Sequence, residues 1–426
     1  TNAGAAGTTV ENFGVGSSVT IQGRKVIIDP TSDLNNSETY HISYPSGCFT
    51  NTSGDVSYVG TAYTFGVKAL QQTLWAWGAS GYGDLAQNNT VTTSSPVQIP
   101  GTTWSKLLVG QLNSFYGDAA TKTDNTLWTW GYNDNGHLGH NSLVNYSSPV
   151  QVPGTTWNVI SASYDAFLAT KTDGTLWSWG KNSYGSMGVN NRTKYSSPVQ
   201  VPGSWATGDY QISSGAGFVG AIKTNGTLWT WGRNTDGKLG HNNPDNTHLS
   251  SPVQIPGTTW RTIAGGQSAM YSTKTDGTLW AWGGNGSGGL GQNNTTSYSS
   301  PIQIPGTTWG TNLDTGGAAF IIIPRTDGTL WAIGSNNKGQ LGVNNTTNYS
   351  SPIQIPGTTW KQANCGDDGA AYAVKTDGTT WAWGYNDSGQ LGHNNRTDYS
   401  SPTQIPGTTW NRIKGARSRA FALQTV

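Results

Sequence analysis

The chain has 426 residues, enough for more than one domain or for one large repeat architecture. Charged residues make up only 11 % of it and the formal net charge is +1, which excludes a basic surface of the kind that follows nucleic-acid phosphates. Twenty Trp, 18 Tyr and 59 Gly exclude a disordered chain and favour an all-β protein with many tight turns.

Residues 1–66 contain short β-rich runs that the rest of the chain does not repeat. Two such runs lie in 19–34 and join at Gly23, a third covers 39–44 and a fourth covers 63–65. Their order resembles the C-terminal part of a bacterial or phage Ig-like domain, so we predict a partial Ig-like β domain over 1–66. Because half a sandwich cannot bury its own inner face, we expect upstream chain or packing against a neighbour.

Residues 67–426 contain a unit that recurs seven times. Each copy carries the marker seen in Lys171-Thr-Asp-Gly-Thr-Leu-Trp177, then Gly-x-Leu-Gly, then Ser-Ser-Pro-x-Gln-x-Pro-Gly-Thr-Thr-Trp, with small changes. Self-similarity at a fixed period predicts a repeat architecture. The Trp that closes the first marker is Trp75, Trp128, Trp177, Trp229, Trp280, Trp331 and Trp381.

Each unit has the pattern of four short strands. Leu176-Trp-Ser-Trp179 alternates large and small side chains, as a half-buried strand does, and Asp173-Gly174 before it predicts a type I′ hairpin turn. Val199-Gln-Val201 lies between prolines, which suits an edge strand, and two further runs follow Trp157. Four short strands in each unit predict the blade of a β-propeller.

The two ends of the repeat region complement each other. The first unit begins at Leu70-Gln-Gln-Thr-Leu-Trp75 without the strands that should precede it, and the last unit ends at 420–426. The C-terminal strands should therefore complete the first blade. We predict an all-β, seven-bladed β-propeller of four-stranded blades that the C-terminal strand closes, which removes the exposed edges.

Leu-Trp-x-Trp-Gly-x-Asn-x-x-Gly-x-Leu-Gly followed by Ser-Pro, seven times over 68–426, resembles the regulator-of-chromosome-condensation repeat. The resemblance implies a seven-bladed propeller with four-stranded blades. Members of that family carry His in or beside the variable loop after the first strand, and this chain has none there. It also lacks the basic surface of the family's chromatin-bound Ran exchange factor, so nucleotide exchange is not expected. A β-lactamase inhibitory protein of the same propeller type, which binds a partner and catalyses nothing, is a closer analogue.

The repeated side chains are better explained by structure than by chemistry. One Trp pair in each blade, at a fixed register, is expected to fill the space between blades rather than to stack on sugars. The repeated Asp residues lie in hairpin turns and should form those turns. His140, His241 and His393 recur at one blade position on different blades, which does not favour a metal site. We predict no catalytic residue, no metal and no cofactor.

The short loop after the first strand of each blade differs from copy to copy while its framework does not. Equivalent loops of a propeller gather on one face, where ligands commonly dock. Asp367 and Asp368 should lie near Arg417 and Arg419 on the neighbouring blade. The loops contain the residues that we predict to bind a partner, namely Asn113, Tyr164, Asp165, Gln267, Asp367, Asp368, Arg417 and Arg419.

These observations predict a non-enzymatic structural or adhesion module that is displayed outside the cell or on a virion, as a phage appendage or decoration protein. Its partner would be a protein or a surface glycan, such as other virion or cell-surface proteins, and not a nucleic acid. No apolar run is long enough to span a membrane. Two alternatives stay open: a secreted bacterial protein-binding inhibitor or cell-surface protein, and a carbohydrate-binding lectin. An oligomer is compatible with the sequence.

Overall fold

The computed structural model describes residues 19–22, 25–28, 39–42, 63–66, 71–108, 117–162, 164, 166–243, 245–315, 319–366, 368–407 and 410–425. The chain divides into two units, Thr1–Gln71 and Gln72–Val426. In the first unit, β1 (Val19–Gln22) pairs with β2 (Lys25–Ile28), and β3 (Thr39–Ile42) pairs with β4 (Tyr63–Gly66), both antiparallel. The Ig-like interpretation of this unit stays a prediction.

The second unit consists of seven antiparallel sheets of four strands each, which confirms the predicted propeller. Blade 1 begins with β5 (Gln72–Gly78) and β6 (Thr93–Ile99). Blade 2 contains β7 (Trp104–Leu108), β8 (Asp118–Lys122), β9 (Leu127–Gly131) and β10 (Tyr146–Gln151). Blade 3 contains β11 (Trp157–Ala162), β12 (Ala166–Lys171), β13 (Leu176–Gly180) and β14 (Tyr195–Val201). Blade 4 contains β15 (Ile212–Ser214), β16 (Phe218–Ile222), β17 (Leu228–Gly232) and β18 (Leu249–Gln254), with a 3-10 turn at Thr235–Gly237.

The remaining blades repeat this order. Blade 5 contains β19 (Trp260–Gly265), β20 (Ala269–Lys274), β21 (Leu279–Gly283) and β22 (Tyr298–Ile304). Blade 6 contains β23 (Asp314–Thr315), β24 (Phe320–Pro324), β25 (Leu330–Gly334) and β26 (Tyr349–Ile355). Blade 7 contains β27 (Trp360–Cys365), β28 (Ala370–Lys375), β29 (Thr380–Gly384) and β30 (Tyr399–Gln404). The chain ends with β31 (Trp410–Ala416) and β32 (Arg419–Thr425).

The last two strands complete blade 1, as the two ends of the repeat predicted. The order in that sheet is β31-β32-β5-β6, and β32 pairs with β5 from Arg419↔Gly78 to Thr425↔Gln72. Every blade therefore has four strands, and the ring has no unpaired edge at the junction of its ends.

The second Trp of each Leu-Trp-x-Trp strand holds neighbouring blades together. In blade 5, Trp282 is fully buried and its indole Nε1 donates to the carbonyl of Lys238 in blade 4 at 2.9 Å. The acceptor is always the variable residue of Gly-x-Leu-Gly in the preceding blade. The six tryptophans that make this bond are Trp77, Trp130, Trp179, Trp231, Trp282 and Trp383.

The glycine that opens Gly-x-Leu-Gly allows the same close approach in all seven seams. A Cβ on Gly185 would lie 2.5 Å from the Cα of Ser250, the first Ser of the next blade's outer strand, and Gly185 has a φ of +78°. Asn190 follows this motif and donates its backbone N–H to the carbonyl of Ser250 at 2.8 Å. The repeated letters of the sequence therefore encode contacts between blades, and these contacts leave no room for a side chain at that glycine.

The first Trp of each Leu-Trp-x-Trp strand, which we predicted to fill the space between blades, is only half-buried. Trp280 donates its Nε1 to the hydroxyl of Thr278 at 2.9 Å, and Lys274 Nζ lies 4.3 Å from its ring centroid. Asp276 accepts hydrogen bonds from the backbone N–H and the hydroxyl of Thr278, so the repeated Asp residues do form the turns. The turn is not of type I′, however. In blade 3 the backbone N–H of Gly174 donates to the carbonyl of Lys171 at 3.1 Å, so the central residues are Thr172 and Asp173, which both have negative φ, and Gly174 follows them with a φ of +82°.

Consecutive antiparallel strands place alternate connections at opposite ends of the propeller. We call the loop face the end with the connections between the first and second and between the third and fourth strands. We call the turn face the end with the hairpin turns between the second and third strands and with the segments that enter each first strand. The first strands of neighbouring blades contact each other around the central axis.

Candidate functional site

The predicted partner-binding residues that the structure describes, except Arg419, are half-buried on the loop face. They are Tyr164, Gln267, Asp368 and Arg417. Asn113, Asp165 and Asp367 lie outside the described residues. The partner-binding role of all these residues stays a prediction.

Two of these residues contact basic side chains of the loops between third and fourth strands. Lys181 Nζ lies 4.8 Å from the ring centroid of Tyr164. The backbone carbonyl of Gln267 accepts a hydrogen bond from Lys238 Nζ at 3.1 Å. Lys238 is buried, and this burial, together with the charge of Arg233, lowers the pKa of its amine to about 8. Both sets of loops therefore belong to one surface.

Asp368 and Arg417 meet across the seam between blades 7 and 1, as the sequence predicted. Arg417 Nε lies 3.5 Å from Asp368 Oδ1, and the hydroxyl of Ser418 donates to Asp368 Oδ2 at 2.6 Å. Burial raises the pKa of the Asp368 carboxyl above its ordinary value although these partners favour its charged form. The pair is a polar contact at the rim of the loop face.

Arg419 has a different environment from Arg417. It is 3 % exposed, and its Nε and Nη2 donate to the two oxygens of Asp118 at 2.9 and 3.1 Å. Asp84 Oδ1 lies 3.9 Å from the same guanidinium. This two-pronged buried ion pair joins β32 of blade 1 to β8 of blade 2, so Arg419 stabilises the ring closure and presents little surface to a partner.

The loops between third and fourth strands add exposed or half-buried aromatic side chains that the sequence analysis did not select. Tyr82 and Tyr132 lie 4.7 Å apart between ring centroids. Tyr184 contacts Arg233, whose guanidinium lies 5.0 Å from the ring, and it meets the ring of His248 edge-on at 5.0 Å.

A third group of this kind lies on blades 6 and 7. Lys338 Nζ lies 4.6 Å from the ring of Tyr385, whose hydroxyl donates to Asp387. This hydrogen bond is the main cause that raises the pKa of Tyr385 to about 12. The signal for these side chains was available in the sequence, because the positions that follow Trp-x-Trp-Gly vary among blades.

Blade 5 is the exception on this face. Its loop reads Gly284-Asn285-Gly286 at the same positions, and Gly286 has no atom within 4 Å of the place of a Cβ. The aromatic and charged side chains therefore occupy the sectors of the other blades, and the surface has a defined bare sector. A partner that binds this face would be oriented by that asymmetry.

The three repeated histidines face their own blades. His140 and His241 Nε2 each lie 2.9 Å from a Thr hydroxyl of the third strand, and burial lowers the pKa of both rings. Within the described ranges, no three residues of the His, Cys, Asp or Glu types are grouped so that they could hold a metal ion. In the same part of the chain, no helix has the length and apolar character needed to cross a bilayer.

Comparison with known proteins identifies relatives of the propeller. The family profile of the RCC1-like domain matches residues 73–422. The E3 ubiquitin-protein ligase HERC2 of Mus musculus is 24 % identical over 223 residues, which cover 51 % of this chain and 4 % of that protein. The protein RCC2 homolog of Danio rerio is 29 % identical over 137 residues, which cover 31 % of this chain and 27 % of that protein. The chain thus matches less than a third of the length of either relative.

Solved structures show the same fold. Yeast RCC1 (Prp20), in a crystal structure with Kap60 bound, superposes with a TM-score of 0.73 at 18 % identity and covers 84 % of this chain and 89 % of that one. Human WBSCR16 superposes with a TM-score of 0.71 at 18 % identity and covers 83 % and 99 %.

Proposed function

The chain belongs to the RCC1-like domain family, and we propose that its propeller is a non-enzymatic module that binds a protein partner through the loop face. The observation that carries this proposal is the set of aromatic side chains on variable loops of several blades. Tyr82 with Tyr132, Tyr184 with Arg233, and Tyr385 with Lys338 are accessible, whereas the repeated framework between them is buried. Tyr and Arg are the residues that most often dominate the energy of protein interfaces.

The charged groups of this face support binding rather than catalysis. Asp368 is paired with Arg417 and Ser418, and Tyr385 is paired with Asp387. General acid–base catalysis needs two titratable groups whose environments push their pKa values apart at one pocket. The described loop residues form separate polar contacts distributed over several blades, which suits an extended contact surface.

A protein partner is favoured over a glycan. The half-buried tryptophans are a poor stacking surface for sugars, because in six blades each has a Lys or Arg 3.7–4.7 Å from the ring centroid. Yeast RCC1 (Prp20), which has the same fold, was solved with Kap60 bound, so a protein of this fold has a protein partner.

We also propose that the protein is displayed outside a cell or on a virion as a structural or adhesion module. The support is compositional: 11 % charged residues and loops rich in Asn, Thr and Ser. A secreted inhibitor or regulator is the main alternative. Fractionation with a specific antibody tests the display, since detection on intact cells or virions supports it, and detection in the cytosol alone contradicts it.

Photo-crosslinking tests the binding face. A photoreactive phenylalanine analogue replaces Tyr132, Tyr184 or Tyr385 in the producing cells, and matched controls carry it at Thr172 and Thr326, which are exposed on the turn face. We expect the same partner adduct from the three loop-face positions and none from the controls.

Affinity for the captured partner then provides a quantitative test. The triple variant Tyr132→Ala, Tyr184→Ala, Tyr385→Ala should weaken binding more than about tenfold, equivalent to about 1.4 kcal/mol. Adducts from the control positions alone, or unchanged affinity of the triple variant, would contradict the assignment of the loop face.

A further inference from the structure

Two arginines lie on the loop face at the seam between blades 3 and 4. They belong to the loops that connect third and fourth strands, residues 181–194 in blade 3 and 233–248 in blade 4. The first of these loops contains three basic residues and no acidic one, and the second contains two of each. Within the described ranges, Arg192 and Arg233 form no ion pair with a carboxylate. The positive charge of both guanidinium groups is therefore available to an external anion.

Tyr184 lies between Arg233 and His248 at this seam. The Arg233 guanidinium is 5.0 Å from the Tyr184 ring centroid, and the His248 ring meets the same ring edge-on at 5.0 Å. Stacking on an aromatic ring restricts the orientation of a guanidinium and leaves the N–H groups at its edge free to donate. The Nε of Arg233 is buried and has no hydrogen-bond partner among the described residues. Because buried donors in folded proteins are normally hydrogen-bonded, this atom points to a missing acceptor.

His248 adds a neutral donor to the two cations. The backbone N–H of Asn234 donates to His248 Nδ1 at 3.1 Å. Because Nδ1 accepts, the neutral ring carries its proton on Nε2, which is then a donor. Burial lowers the pKa of His248, and the charges of Arg192 and Arg233 lower it further, so the ring is neutral at neutral pH. The seam thus combines two guanidinium groups and an imidazole N–H, which are donors only.

The acidic residues of blade 4 act on a different cation. Burial is the main cause that lowers the pKa of the Lys238 amine, and the charges of Asp236 and Asp245 oppose it. A Cβ on Gly284 of blade 5 would lie 3.5 Å from the Cβ of Asp236. The pKa of His248 is shifted by burial and by the two arginines, and not by these carboxylates. Positive charge is therefore compensated at the seam between blades 4 and 5 and uncompensated at the seam between blades 3 and 4.

We propose that this seam binds an acidic side chain of the protein partner. Its four residues, which we call the anion seam, are Tyr184, Arg192, Arg233 and His248. The two arginines pair with the carboxylate, and His248 Nε2 donates a hydrogen bond to it. Hydrogen bonds between charged groups are shorter and stronger than neutral ones, and an arginine can hold a carboxylate through two parallel N–H groups. The site rests on the proposed protein-binding function of the loop face and is one contact of that interface.

The surroundings favour a single acidic side chain over an extended polyanion such as a sulfated glycan. The loops between third and fourth strands of blades 2 and 4 carry exposed carboxylates, namely Asp134, Asp236 and Asp245. A row of sulfate groups laid across several of these loops would meet the like charges. One carboxylate that reaches the anion seam would avoid them.

Nuclear magnetic resonance with isotope-labelled histidine rings tests the anion seam without the partner. Inorganic phosphate is the probe, His248→Gln assigns the signal, and sodium chloride at equal ionic strength is the control. We expect phosphate to shift the His248 signal in a saturable way and to raise the pKa of this ring, since a bound anion favours its charged form. Arg192→Gln and Arg233→Gln together should abolish both changes. The signals of His140 and His241, which contact Thr hydroxyls of their own blades, should not move.

Affinity for the partner captured by photo-crosslinking tests the acidic contact. The double variant Arg192→Gln, Arg233→Gln should weaken binding more than about tenfold and reduce the dependence of the affinity on salt. The double variant Arg261→Gln, Lys361→Gln makes the same change of charge at two exposed residues of the turn face and is the matched control. We expect this control to bind as the unmodified protein does. Urea unfolding of both variants shows whether a change in affinity reflects misfolding.

Three outcomes would overturn the proposal. A phosphate response that is absent, or that survives in the double variant, contradicts the site itself. Unchanged affinity of the double variant for the partner contradicts the acidic contact. Binding of a heparin fragment that requires both arginines, without an effect on the partner, assigns the seam to a sulfated glycan instead. Failure of the loop-face function is distinguishable, because it would appear as missing crosslinks from Tyr132, Tyr184 and Tyr385, whereas the phosphate response needs no partner.

Discussion

The two tryptophans of each Leu-Trp-x-Trp strand lie two residues apart and have different environments. In β21, Trp282 is fully buried and donates to a carbonyl of the neighbouring blade. Trp280 is half-buried, bonds to Thr278 of its own turn and is covered by Lys274. The same residue type in the same strand thus bonds to the neighbouring blade at one position and to its own blade at the other.

The difference shows that the partners of a repeated residue determine its role. In blade 5 both tryptophans contact Trp260, whose ring centroid lies 6.3 Å from that of Trp280 and 6.3 Å from that of Trp282. Only the second, buried tryptophan reaches Gly-x-Leu-Gly of the preceding blade. The buried tryptophans should therefore contribute most to the free energy of unfolding, and the half-buried ones should contribute little beyond their own turn.

Removing β32 should have the largest effect, because both tryptophans of blade 1 lose their partner strand. Trp75 pairs with Ala422 and Trp77 with Ala420. Deletion of 419–426 should cost an amount comparable to the whole stability of a domain, about 5–15 kcal/mol. Circular dichroism should show loss of the cooperative melting transition. Deletion of Val426 alone is the control, and an unchanged melting temperature of the longer deletion would refute the closure.

Substitution within one strand compares the two rows directly. Trp282→Ala should lower the free energy of unfolding by about 3–5 kcal/mol, since it leaves a cavity and removes the donor to the Lys238 carbonyl. Trp280→Ala should cost about 1 kcal/mol, the value of a half-buried ring with a cation over it. Urea unfolding measures both. Equal losses would show that the rows are energetically equivalent.

The sequence predicted the fold because each copy repeats the same local signals, and seven copies of a strand pattern leave few alternatives. It did not distinguish the two tryptophans of a strand, because residues two apart lie on the same side of a sheet and the alternation does not show which of them reaches the neighbouring blade. The burial of Arg419 depends on Asp118 of blade 2, which is far away in the chain. The contacts of Asp209 with Lys106 and Arg412 likewise join blades that are far apart in the chain.

Blade 6 breaks the comparison, because Ile333 occupies the position of the buried Trp. The carbonyl of Gly289 therefore has no indole donor, and the buried hydroxyl of Tyr271 donates to it at 3.0 Å instead. In blade 7, the carbonyl of Gln390 accepts from both Tyr372, at 2.9 Å, and Trp77, at 2.7 Å. The two tyrosines are thus equivalent in position but differ in whether a second donor is present.

Tyr271→Phe should lower the free energy of unfolding by about 1–3 kcal/mol, because the Gly289 carbonyl stays buried without a donor. Tyr372→Phe is the matched variant and should cost about 1 kcal/mol or less, since Trp77 still donates to Gln390. Urea unfolding measures both variants, and each of them loses the same hydroxyl group. A larger loss for Tyr372→Phe would show that the seam at blade 6 is held by the packing of Ile333 rather than by this hydrogen bond.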